Sequence, residues 1–105
     1  MAVARTGEIV AGSAKAVVVG GREIAVFNVG GTFFALDNTC PHQGGPLAEG
    51  WIEGAQVTCP WHAWTFNLAD GKMTLGDFAS VATFDVRVEG DVVLVSCTPK
   101  GDGPP

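Results

Sequence analysis

Two short segments, Cys40-Pro41-His42 and Cys59-Pro60-Trp61-His62, hold both histidines of the chain and two of its three cysteines. Each contributes one cysteine and one histidine, and sixteen residues separate the pairs. A random scatter of five such residues would seldom give two matched pairs. Both lie in turn-forming surroundings: residues 38–50 (NTCPHQGGPLAEG) carry three Gly and two Pro, and Cys59 is followed at once by Pro60. The fold must therefore bring two distant loops to one point, with four metal-competent side chains between them.

The bland alternative is that a buried Cys is a small hydrophobe and a lone His is simply hydrogen-bonded. That suits Cys97, which falls in phase with Val93 and Val95 at the end of the last strand pattern. It suits the loop residues poorly. Two Cys and two His also satisfy a closed tetrahedral Zn site, and a structural Zn module stays open as an alternative. Zinc knuckles commonly pair Cys with Cys and His with His, however. A mixed pair in each loop matches a dinuclear cluster in which one iron takes both thiolates and the other both imidazoles.

Outside these loops the periodicity is that of strands. Residues 83–89 (TFDVRVE) alternate, placing Phe84, Val86 and Val88 on one face, and Gly90-Asp91 turns the chain into 92–95. Gly20-Gly21 and Gly30-Gly31 separate three further strands at 16–19, 23–29 and 32–36. Short strands are expected at 51–53, 56–58 and 64–66, and no segment sustains a helical stripe. With 105 residues, 47% apolar and 16% charged, one all-β domain with one core is expected. We expect it over residues 1–98, with 99–105 a polar tail that has no reason to be ordered.

The net charge of −5 argues against phosphate neutralisation, hence against nucleic-acid binding, and suits docking on a basic protein surface. No export signal and no apolar run long enough for a bilayer is seen, so no membrane association and a cytoplasmic location are expected. No Gly-rich dinucleotide loop occurs. Both histidines are already used, leaving none for a second, catalytic iron site. No catalytic residue is assigned, and the chain is not expected to be an enzyme on its own.

The pattern Cys-x-His, sixteen residues, Cys-x-x-His, set in DNTCPHQGGPLAEGWIEG and VTCPWHAWTFNLADGK, resembles the Rieske family from about residue 7 to residue 95. The resemblance implies the Rieske fold, a small antiparallel β-barrel or sandwich of three sheets with one [2Fe–2S] cluster at the tip of two loops. Cys40 and Cys59 would hold the buried iron, and His42 and His62 the outer iron near the surface. Two ferric irons, two sulfides and two thiolates are formally neutral with neutral imidazoles. An all-thiolate cluster carries two more negative charges and resists an electron, so His ligation raises the potential, into a family range of roughly −150 to +300 mV.

The resemblance also places this member within that range. High-potential Rieske proteins of respiratory and photosynthetic complexes add one Cys to each loop and join them by a disulfide. Gly45 and Trp61 stand at those positions here, and Asp37, Glu49, Glu53, Asp70 and Asp77 surround the loops against one base, Lys72. A low-potential member is expected. Gly44 and Gly45 are candidates to bring backbone N–H groups to the cluster sulfides, and Trp61 and Trp64 to shield it. Two departures from the family pattern concern loop geometry: Ala63 replaces the usual Gly, and residues 73–80 (MTLGDFAS) lack the usual Pro, leaving Phe78 to cover the cluster.

By this resemblance the chain is expected to be a Rieske ferredoxin, carrying single electrons from a flavin-containing reductase to a terminal oxygenase of the aromatic-ring-hydroxylating type. The alternative is a Rieske-like small subunit of an NAD(P)H-dependent assimilatory nitrite reductase, with that enzyme's large subunit as partner.

Overall fold

A computed structural model describes residues 2–38, 46–60, 65–72 and 81–99. Among the described residues nine strands follow one another: β1 (Ala2–Arg5), β2 (Ser13–Val19), β3 (Arg22–Val29), β4 (Thr32–Asp37), β5 (Trp51–Glu53), β6 (Gln56–Thr58), β7 (Thr65–Asn67), β8 (Thr83–Glu89) and β9 (Val92–Pro99). The paired glycines make the turns expected of them. Gly20 and Gly21 have φ of 60° and 80°, Gly30 and Gly31 of 59° and 94°. Val19 pairs with Arg22 and Val29 with Thr32 across them. Two positive φ values in a two-residue loop give the turn whose twist matches its flanking strands, and glycine adopts them without a Cβ clash.

Six strands form one antiparallel sheet in the order β1-β9-β8-β4-β3-β2, and three form a second in the order β5-β6-β7. The outer strands β1 and β2 approach each other, so the large sheet curls into a nearly closed barrel. The barrel part of the expected architecture is thus one continuous sheet, with the small sheet beside it. No described helix is long and apolar enough to cross a membrane.

Strand β3 feeds two cores at once. Side chains alternate across a strand, and residues 24–27 of β3 are fully buried on both faces. Ile24 and Val26 join Ile9, Val19, Ala35, Phe84, Val93 and Val95 inside the barrel. Ala25 and Phe27 turn the other way, joining Leu36, Leu47, Val57, Cys59, Phe66, Leu68 and Val81 under the small sheet. Each fully buried Phe, Leu, Ile or Val contributes about 1.5–3 kcal/mol. The second core therefore fixes the small sheet on the barrel.

Some details differ from the sequence expectation. β1 is too short to show a period, and it is held by pairing with β9. β2 begins at Ser13, three residues earlier than its apolar run, because β3 pairs along its whole length (Ser13 with Asn28). The expected inner face of β8 fades along the strand: Phe84 is buried, Val86 half-buried and Val88 exposed. The expected strand at 64–66 runs from Thr65 to Asn67. β9 continues to Pro99, and residues 100–105 lie outside the described residues. Cys97 lies on β9, with its side chain also outside what is described.

Candidate metal centre

Asn38 closes the base of the first loop. It is buried, its amide nitrogen donates to Glu23 Oε1 at 2.7 Å, and its Oδ1 accepts the Ala48 N–H at 2.8 Å. Its carbonyl accepts the Leu47 N–H at 2.8 Å, and its own N–H donates to the Glu23 carbonyl at 3.1 Å. One asparagine thus ties both ends of the loop to each other and to β3. A buried amide is stable only when its donors and acceptors are matched, and here they are. Cys40, His42, Gly44 and Gly45 lie between these ends, outside the described residues.

The second loop is closed by a threonine pair. Thr58 and Thr65 face each other across β6 and β7, with their hydroxyls 2.9 Å apart. Cys59 follows Thr58 directly and is fully buried among Val57, Phe66, Leu68 and Leu47. It is the one proposed ligand among the described residues. Trp61, His62, Ala63 and Trp64 lie outside them. So does the segment 73–80 with Phe78, whose ends meet where the Val81 N–H donates to the Gly71 carbonyl at 2.7 Å.

The two stems touch. A Cβ on Gly50 would overlap the carbonyl oxygen of Thr58, so the exit of the first loop packs backbone against backbone on the entry to the second. The next residue, Trp51, pairs with Thr58 across β5 and β6. The described stem after the first loop and the described entry to the second are therefore in contact. A cysteine buried at the mouth of such a loop suits a metal ligand. Two thiolates and two imidazoles are the donor set of a mixed-ligand [2Fe–2S] cluster.

The model of the Rieske [2Fe-2S] domain matches residues 1–96. This chain belongs to the Rieske family. It is 32% identical over 89 residues to the ferredoxin component of the naphthalene 1,2-dioxygenase system of Pseudomonas aeruginosa, covering 84% of this chain and 86% of that one. Among solved structures it resembles the ferredoxin in a complex of reduced oxygenase and oxidized ferredoxin of carbazole 1,9a-dioxygenase. The TM-score is 0.87 at 29% identity, covering 95% of this chain and 94% of that one. A structure assigned to a nitrite reductase NADPH small subunit matches with TM-score 0.83 at 17% identity, covering 92% and 97%. At that identity the likeness is one of fold alone. As a Rieske protein related to ferredoxin components, the chain carries a Rieske-type [2Fe–2S] cluster and is an electron-transfer component rather than a catalyst.

The sequence marked the ligand loops but not what closes them. Asn38, Thr58, Thr65 and Gly50 sit beside the motif as ordinary loop and strand residues. The one signal available was position: each flanks a loop that must hold its ends together.

Proposed function

We propose that Cys40, His42, Cys59 and His62 hold the cluster and that the chain is a low-potential ferredoxin. It would take single electrons from a flavin-containing reductase and pass them to a terminal oxygenase of the ring-hydroxylating type. The cluster supplies a reversible one-electron couple. The observation that supports the reading is the contact between Gly50 and Thr58, which joins the stems of the two loops, with Cys59 buried beside them.

The chain's own residues do the holding. Asn38 and the Thr58–Thr65 pair fix the loop ends, which keeps the ligand geometry from relaxing between oxidation states. The apolar packing around Cys59 keeps water from the thiolate side. By the family resemblance His42 and His62 would hold the outer iron and be the exit for the electron. The low potential is supported by Gly45 and Trp61, which exclude the inter-loop disulfide of high-potential members.

The test is reconstitution with the reductase and oxygenase encoded beside this chain's gene. Hydroxylated product should form only when all three proteins are present. The second reading is a Rieske-like small subunit of an NAD(P)H-dependent nitrite reductase. A sirohaem enzyme encoded alongside, with NAD(P)H-dependent nitrite reduction requiring this chain, would establish that one instead.

A further inference from the structure

Strands β4 and β8 pair at Ala35–Phe84 and Leu36–Thr83, and beyond Ala35 the pairing stops. There β8 also shifts register against β9, between Phe84 and Val86, as at a bulge. A bulge bends its strand and re-aims its side chains, which loosens the barrel wall at this point. A pocket of about 250 Å³ lies along the seam, lined by Phe33, Phe34, Leu68, Thr83, Asp85 and Val86, with exposed Ala69 at its rim. A dry cavity of about 150 Å³ lined by apolar side chains takes up benzene, so this volume admits one aromatic ring with a substituent.

Thr83 gives the pocket a chemical demand. It is 5% exposed, its methyl lies toward Gly71, and among the described residues its hydroxyl makes no hydrogen bond. A buried hydroxyl is costly when unpaired and in folded proteins nearly always has a partner.

We propose that this pocket binds a small neutral phenol, with its ring among Phe33, Phe34 and Leu68 and its hydroxyl bonded to that of Thr83. Each hydroxyl can donate and accept, so the pair always finds a matching sense. Asp85 on the same wall selects against an aromatic carboxylate by like charge. The proposal stands apart from the electron-carrier reading, since it uses no ligand of the metal centre.

Saturation-transfer-difference NMR of the holoprotein, titrated separately with phenol, toluene and benzoate, tests it. Phenol should bind, and benzoate should bind more weakly. The ratio of phenol to toluene affinity reads the hydroxyl contact, because toluene has nearly the same shape and lacks the hydroxyl. Thr83→Val should lower that ratio about three- to tenfold, and Thr83→Ser should keep it within about twofold of wild type. Ala69→Leu fills the pocket from an exposed position and should abolish both the phenol and the toluene signals. It carries the test where Thr83→Val does not fold. Far-UV circular dichroism of the folded variants should match wild type.

No saturation transfer to phenol from the wild-type protein would overturn the proposal. So would an affinity ratio unchanged in folded Thr83→Val, or benzoate binding as tightly as phenol. A phenol signal that survives Ala69→Leu at full strength would put the binding elsewhere on the molecule and overturn it as well.

Discussion

The side-chain amide of Asn38 donates to the Glu23 carboxylate at 2.7 Å, while the Asn38 backbone N–H donates to the Glu23 carbonyl at 3.1 Å. Through this double link, β3 anchors the loop that contains Cys40 and His42. Asn38→Ala strands the Ala48 N–H and frees the loop ends, a cost of about 1–3 kcal/mol for a buried group left unsatisfied. In a domain of this size that lowers Tm by roughly 4–8 °C per kcal/mol. The holoprotein should melt earlier and retain less iron through purification, while Glu23→Gln, which keeps an acceptor, should be milder. Thermal melting and iron analysis check both, and wild-type values for Asn38→Ala would contradict the role.

Gly50 is required by space rather than by backbone conformation, since its φ is −78° and any residue adopts that. Gly50→Ala drives a methyl into the Thr58 carbonyl and pushes the two stems apart, costing about 1–3 kcal/mol as overpacking does. Gly7→Ala meets nothing within 4 Å and should stay within about 0.5 kcal/mol of wild type. Denaturant unfolding of the two variants side by side reads the difference.

Cys59 and Cys97 separate ligand from packing. Cys59→Ser removes a proposed iron ligand from a fully buried position, so it should lose both the visible absorption and much of the stability. Cys97→Ser should keep its cluster. A colourless Cys97→Ser protein would mean that the sulfur ligands are misassigned.

Much of this was legible in the residues themselves. The Gly-Gly turns fixed the hairpins of β2, β3 and β4 because only glycine takes two successive positive φ values cheaply. The Cys-His pairs marked the metal loops. The Asn38 clamp was not legible, since its partner Glu23 is fifteen residues away and reaches it only through the β3–β4 pairing that sets Ile24 against Asp37. Trp51 read simply as part of a short apolar strand. Its exposure follows from β5 lying at the sheet edge, which a three-residue segment does not announce.

The absent inter-loop cysteines and the exposed acids Glu49 and Glu53 set an expectation for the potential. A redox titration should give a midpoint near or below roughly −150 mV, flat with pH around neutrality. Weaker electron withdrawal by a low-potential cluster leaves the ligating imidazoles weaker acids, so the coupling to protons moves into alkaline solution. A midpoint well above zero, or a steep slope across the neutral range, would place the protein with the respiratory class.

Mixed ligation is the centre of the account, and pulsed EPR of the dithionite-reduced protein tests it most directly. The spectrum should show two strongly coupled imidazole nitrogens on a single [2Fe–2S] signal, and His42→Ala or His62→Ala should abolish the two-nitrogen pattern. A reduced cluster with no nitrogen coupling, or a protein with stoichiometric zinc and no paramagnetic signal, would contradict it.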